Sequence, residues 1–431
     1  MTSQRLHCAG YSGNDGSRSI GGIVAKAIVI VGTLDTKAEE IGFIRDFIER
    51  KGHKALIVDG GITGSTPLAP DISREEVAGA AEKTLADIIA LGNEGKAIAT
   101  MAEGAAKIVH ALYSTGSADA VISIGGSMGT SLGLAAMKRL PIGFPKLMVS
   151  TIAFTPLVTA DAIAMDQIMM QSPVDLWGLN VITRRILESA AAAIVGMAEV
   201  SEKILVEKPL VAVTTRGILK YVNWIKPMLE ERGYEVVVIH AVGMVGGKTL
   251  ETVVRHRMLC SVLDLCTGEI IEEMNGGALT AGPDRLEAAG QIGIPQIVAP
   301  GSMEFWHWPG SVNTAPKDRT LHVHNPLVLG VKATSAEMVR AAEAVAEKLN
   351  RAKGPVTFLF PLRGFDAHDQ PGGVFYDPEG RAAFLAALKA AAGPNIKLVE
   401  LDMHINDKVF AEKVVSEFDA IRSKTPPCHT Q

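Results

Sequence analysis

The chain has 431 residues, is 47% hydrophobic and carries a formal net charge of -5. That length exceeds one ordinary core and suits two or three. The mild acidity, without a basic stripe, argues against a nucleic-acid partner, and no run approaches the roughly 20 apolar residues of a membrane span.

The opening "MTSQRLHCAGYSGNDGSRSIGG" has no apolar signal segment, so residues 1–25 read as a flexible arm and the protein as cytoplasmic. Short β-branched runs then alternate with helix-length segments. "KAIVIVG" is a strand, followed by a helix with Ile41, Ile44, Phe47 and Ile48 on one face. "HKALIVDG" is the next strand, and two helical stretches are expected between Ser73 and Tyr113. "ADAVISIGG" and "PKLMVSTI" are strands around the helix "TSLGLAAMKRL", and an Ala-rich helix ends the block. A polar hinge, "SEKILVEKP", precedes a second block of the same rhythm, from "LVAVTT" to a helix starting near Asn406. Near-continuous apolar strands alternating with helices mean parallel sheets covered on both faces. The expected fold is α/β: two Rossmann-like domains, 26–204 and 205–431, with an interdomain cleft.

In such sheets ligands bind at the carboxyl ends of strands. In the first domain "GTLDTK" offers Gly32, Thr33, Asp35, Thr36 and Lys37, whose hydroxyls and ammonium suit phosphate oxygens. Asp35 suits Mg²⁺, a ribose hydroxyl or a helix cap. "VDGG" adds Asp59, Gly60 and Gly61. "GGSMGT" supplies Gly125, Gly126, Ser127, Gly129 and Thr130 between a strand and a helix, a setting for an anion.

"VIHAVGMVGGKTLETVV" looks like a Walker loop and fails by one residue. G-x-x-x-x-G-K-[ST] needs glycine at 242, which is Val242; the glycine is Gly243. The stretch is expected to be a strand-to-helix turn whose Gly243, Gly246 and Gly247 still admit an anion. Asp264 lies inside the next apolar run, which makes it a poor magnesium partner. Elsewhere in this domain the loops carry Glu304, His307, His322, His324, Arg363, Asp366 and His368, the residue types of a small-molecule site. His-x-His on a strand points both rings one way, which permits a metal, but no third ligand is evident. Cys8, Cys260, Cys266 and Cys428 form no C-x-x-C pair and fit no common zinc spacing.

The segments "VGTLDTKAEE", "GGSMGTSL", "PKLMVSTIA", "TAGPDRLEAAG", "HVHNP", "PLRGFDAHDQPGG" and "LDMHIND" together resemble a known family. It is the family of bacterial and fungal proteins similar to the ATP-binding N-terminal domain of the tomato mosaic virus resistance protein. The resemblance covers about Lys26 to Arg422 and implies two Rossmann-like subdomains, nucleotide binding and a homodimer. This chain departs from the family pattern at Met128, where glycine is usual, at His322, where an aromatic is usual, and near Lys248. The expected function is ATP binding, with Mg²⁺ as companion and the phosphates on the Gly-rich loops of the first domain. One alternative is a metabolic enzyme acting on a small carboxylated or carbonyl compound in the cleft, with His307, His324, Asp366 and His368 as acid–base groups. Another is a regulatory binding module without turnover.

Overall fold

The computed structural model describes residues 24–425 apart from 164, 202–205 and 327. The expected arm therefore lies outside the described residues up to 23, as do Cys8, Cys428 and the centre of the expected hinge. The chain divides into two compact units, Met1–Ile204 and Leu205–Gln431.

In the first unit β1 (Ala27–Gly32), β2 (Lys54–Asp59), β3 (Ala120–Gly125), β4 (Lys146–Ser150) and β5 (Ile168–Gln171) form one parallel sheet. The helices are α1 (Leu34–Arg50), α2 (Arg74–Ala80), α3 (Leu85–Ile89), α4 (Glu94–Ser114), α5 (Ser127–Lys138) and α6 (Val181–Val200). Successive strand side chains point to opposite faces, and here each face has its own core. Ile28, Ile30, Ile122 and Ile124 pack with α1 and α6; Val29, Val31, Val58 and Val121 pack with α2, α4 and α5. That is why these strands carry unbroken apolar runs rather than alternation. Ile41, Ile44, Phe47 and Ile48 of α1 are all buried. Three helices, not two, occupy Ser73 to Tyr113, because Thr84 and Asp87 form a capping box that starts the short α3.

The strand order is β2-β1-β3-β4-β5, so the winding reverses between β1 and β3. The crevice at such a reversal is where doubly wound sheets take ligands.

The second unit repeats the winding. Its parallel sheet contains β6 (Leu210–Thr215), β7 (Glu235–His240), β8 (Leu259–Asp264) and β9 (Gln296–Val298). Next in the chain come β10 (Phe305–His307), β11 (Leu321–Asn325) and β12 (Val328–Lys332), an antiparallel sheet of order β10-β12-β11. The parallel sheet is completed by β13 (Val356–Pro361) and β14 (Ile396–Leu401) in the order β14-β13-β9-β8-β6-β7. Its reversal lies between β6 and β8. The helices are α7 (Val222–Glu230), α8 (Gly247–Arg255), α9 (Glu269–Asn275), α10 (Ala288–Ile292), α11 (Ser335–Asn350), α12 (Pro378–Ala391) and α13 (Lys408–Arg422). Residues of α7 and α13 fill one core, and those of α11 and α12 the other.

Candidate functional site

At the β1–β3 reversal the two expected loops stand on adjacent strand ends. The acidic residues there are already engaged. Asp59 Oδ1 accepts the N–H groups of Leu34 (3.0 Å) and Gly61 (2.8 Å), and its Oδ2 takes Arg74 Nε (3.2 Å). Asp35 Oδ2 accepts from Ile62 N (3.1 Å), Thr63 N (2.9 Å) and Thr63 Oγ1 (3.0 Å). The Gly60 N–H donates to Gly32 O (2.8 Å). These bonds clamp the loop after β1 to the loop after β2, so both carboxylates hold the edge in shape. Thr33 and Thr36 share a hydroxyl contact of 2.9 Å.

Lys37 differs from its neighbours. It breaks the helical path of α1 (φ -130°, ψ 22°), is buried, and holds Nζ 5.6 Å from the ring centre of the exposed Trp177. Among the described residues no carboxylate pairs with it. On the next strand end, α5 starts directly after Gly126, whose side of the helix has no side-chain cap. Thr130 N donates back to Gly126 O (2.8 Å), and the Thr130 hydroxyl turns inward to Ser150 Oγ (2.7 Å). The N–H groups of Ser127, Met128 and Gly129 therefore have no acceptor among the described residues. They point along the positive end of a twelve-residue helix.

The Walker-like turn is occupied by the protein itself. Glu269 Oε1 accepts Gly243 N (2.6 Å) and Gly247 N (3.0 Å), so the anion expected there is a side chain of α9. A Cβ on Gly247 would sit 2.0 Å from Glu269 Oε2, which explains the glycine. Lys248 is held by Asp284 at 2.7 and 2.9 Å. Asp264 is not inside its strand but ends β8, where Arg285 grips it through Nη1 (2.5 Å) and Nη2 (2.7 Å). Arg285 Nε also reaches Glu269 (2.6 Å). Arg285 is fully buried and fully paired, a structural ion cluster.

The histidine-bearing loops of the second unit do converge. Register places His307 and His322 opposite Gly330 on the two flanks of β12, hence on one face. Phe305 lies on that face too, with its ring 5.1 Å from His307, 6.0 Å from His368 and stacked 5.0 Å from Phe375. His368 and His322 are 4.7 Å apart, and burial beside His368 and His324 lowers the His322 pKa. His307 Nδ1 meets Glu272 Oε1 at 2.5 Å, while its backbone N–H holds Glu272 Oε2 at 2.9 Å. Asp366 is buried and accepts His368 N through Oδ1 (2.7 Å). His404 Nε2 donates to Asp366 O (2.9 Å), joining "PLRGFDAHDQPGG" to "LDMHIND". His324 stays exposed at 6.3 Å from His322, at the rim of the cluster. Among the described residues no group of three His, Cys, Asp or Glu is placed to hold a metal ion.

Two members escaped the sequence reading. Glu272 is one of several acidic residues on a short helix. Arg216 is the third letter of "TTRG", read only as a polar loop; its position directly after a strand at the reversal was the available signal.

Two doubly wound units of one strand order, each with polar loops on its carboxyl edge, define a two-domain Rossmann-like protein. The chain belongs to the uncharacterised protein family UPF0261: the family's N-terminal domain matches residues 26–203 and its C-terminal domain residues 208–422. A UPF0261 protein of Brucella suis is 40% identical over 396 residues, covering 91% of this chain and 94% of that one. One from Clostridium tetani is 40% identical over 395 residues, covering 90% and 96%. The ToMV resistance protein Tm-1 of Solanum lycopersicum is 30% identical over 425 residues, covering 92% of this chain and 56% of the plant protein. A UDP-GlcNAc 2-epimerase structure from Methanocaldococcus jannaschii aligns at 11% identity over 94% of this chain and 95% of its own, with a TM-score of 0.21, too loose to bear on function. Among the described residues no helix is long and apolar enough to cross a membrane.

Proposed function

We propose that the first unit binds ATP at the β1–β3 reversal, with Mg²⁺ as companion. One observation carries the reading: Lys37, which no carboxylate pairs among the described residues, lies in the first turn of α1 after β1, and the adjacent β3 leads into α5, whose first three N–H groups have no acceptor among the described residues. Such N–H groups and a nearby cation are what a phosphate chain requires. Ser127, exposed at the same helix start, adds a hydroxyl, and Gly125, Gly126 and Gly129 keep the main chain approachable. The exposed Trp177 offers a ring beside the Lys37 ammonium for a base to stack on. Mg²⁺ in this reading is held chiefly by the phosphates and water, the usual habit of that ion.

Calorimetric titration of the full-length protein with ATP tests it, with Mg²⁺ and then with excess chelator. Lys37→Ala removes one charge-assisted contact and should weaken ATP roughly tenfold or more. Absence of heat at millimolar ATP, or an unchanged affinity in Lys37→Ala, would sink the reading.

A further inference from the structure

The carboxyl edge of the second unit holds polar atoms that the described chain leaves without partners. Arg216 follows β6 at the reversal and is buried. Its Nε donates to Ala241 O (2.7 Å), which fixes the guanidinium plane. Nη1 and Nη2 make no hydrogen bond, and Glu272 Oε1 stands 3.7 Å from Nη2. The guanidinium carbon lies 5.8 Å from the centre of the Phe305 ring, the same ring that His307 and His368 border. Asp366 is among the groups whose charge bears on Arg216. Asp366 Oδ2 has no donor, nor has either oxygen of the buried Glu304. Burial, then the neighbouring Asp366 charge, raises the Glu304 carboxyl well above the usual range, so Glu304 keeps its proton.

Buried guanidinium N–H groups without acceptors and carboxyl oxygens without donors are costly even beside an ion partner such as Glu272, and a fold retains such a set where a ligand completes it. The fork offers two parallel N–H donors, the match for one planar carboxylate. The acidic pair beside it disfavours a phosphate dianion but supplies one proton to a neutral oxygen. We propose that this is a binding site for a small 2-oxo or 2-hydroxy acid. Its carboxylate lies on Nη1 and Nη2 of Arg216, and its neighbouring oxygen meets the Glu304 carboxyl, whose oxygens have no other hydrogen-bond partner among the described residues. His307, tied through Nδ1 to Glu272, keeps Nε2 for a proton on the same ligand. Cys266 is not the nucleophile of this site: burial pushes its thiol up to about 12. The site is in the other unit from the nucleotide loops, so either proposal can fail while the other stands.

Calorimetry on the full-length protein decides it, with pyruvate, lactate, acetate and inorganic phosphate as probes. Pyruvate or lactate should bind, acetate should bind roughly tenfold more weakly for want of the second oxygen, and phosphate should give no heat. Arg216→Lys, which keeps the charge and loses the fork, should weaken the acid roughly tenfold or more and leave ATP titrations unchanged. Glu304→Gln, which donates without titrating, should retain the acid and abolish the difference in heat between buffers of different ionisation enthalpy. Should Arg216→Lys not fold, the pyruvate-to-acetate ratio and Glu304→Gln still decide. Silence toward both acids at millimolar concentration, a preference for phosphate, or full affinity in folded Arg216→Lys overturns the assignment.

Discussion

Arg285 and Arg216 are both buried guanidiniums, and they differ in their partners. Arg285 meets Asp264, Glu269 and Glu251, so every face of it is answered. Arg285→Met should destabilise the protein by about 3–5 kcal/mol, since it strands buried carboxylates, and chemical denaturation would measure it. Little of this difference is legible in "TTRG" or "AGPDRLEAAG", because the answering carboxylates come from elsewhere in the chain. The buried acids make a second prediction. Burial, then Asp366, pushes Glu304 well above the usual carboxyl range, and burial lifts Asp369 to about 6 despite its Arg381 partner. A raised acid holds its proton longer in the native state, so stability is lost as pH climbs from the ordinary value through the native one. For Asp369 that window closes near 6. His322, lowered from 6.5, acts in the opposite sense below that value. Glu304 acts in the same sense as Asp369 when pH rises above the ordinary carboxyl value of 4.5, so it should add a fall to the melting temperature of the ligand-free protein above that value. Glu304→Gln should flatten the fall; an unchanged slope in the variant would remove Glu304 from the account.

In α5 one glycine-rich stretch serves packing and, in the proposed reading, ATP binding, and sequence alone does not separate the two. Gly125, Gly129 and Gly133 recur every fourth residue, and each brings the helix down onto the sheet. A Cβ on Gly125 would lie 2.6 Å from Gly129 Cα, and one on Gly133 would lie 2.3 Å from Ser123 Oγ. Gly126 is different: its Cβ would meet nothing nearer than Thr151 Oγ1 at 3.8 Å. Gly133→Ala should therefore cost about 1–3 kcal/mol through overpacking. Gly126→Ala should leave the denaturation midpoint nearly unchanged while weakening ATP, because the methyl would stand at the N-cap of α5. Stable Gly126→Ala with full ATP affinity would leave this stretch a packing device only. Elements of this kind were readable where burial on both faces forced long apolar runs, as in β1, β3 and β4. They were unreadable where three residues suffice, as in β10. The occupant of the Walker-like turn was hidden too, since Glu269 reaches Gly243 and Gly247 from more than twenty residues further along the chain.

The winding 2-1-3-4-5 occurs in both units, extended by a sixth strand in the second, with its reversal after the first strand of each. That repetition was legible as rhythm, because each unit needs its own two-faced sheet and its own pair of cores. The proposed assignment of a ligand to each reversal was not, because it depends on what lacks a hydrogen-bond partner after folding: helix N–H groups beside β1 in the first unit, guanidinium N–H groups and carboxyl oxygens in the second. Two ligands of different chemistry on separate sheets give a prediction for the whole chain. A ligand at about a hundred times its Kd stabilises the state that binds it by about 2.7 kcal/mol, and local amide exchange slows where the site must open to exchange. Hydrogen exchange of the full-length protein with ATP and Mg²⁺ should protect Leu34–Lys37 and Gly126–Thr130 and leave Glu304–His307 and Gly364–Asp369 as they were. Pyruvate should give the converse pattern. If ATP instead protected only the second unit, the nucleotide would belong to the Arg216 edge and both assignments would fall together. If each ligand protected both units equally, the sites would be linked, and each ligand should then tighten the other's binding by the same factor.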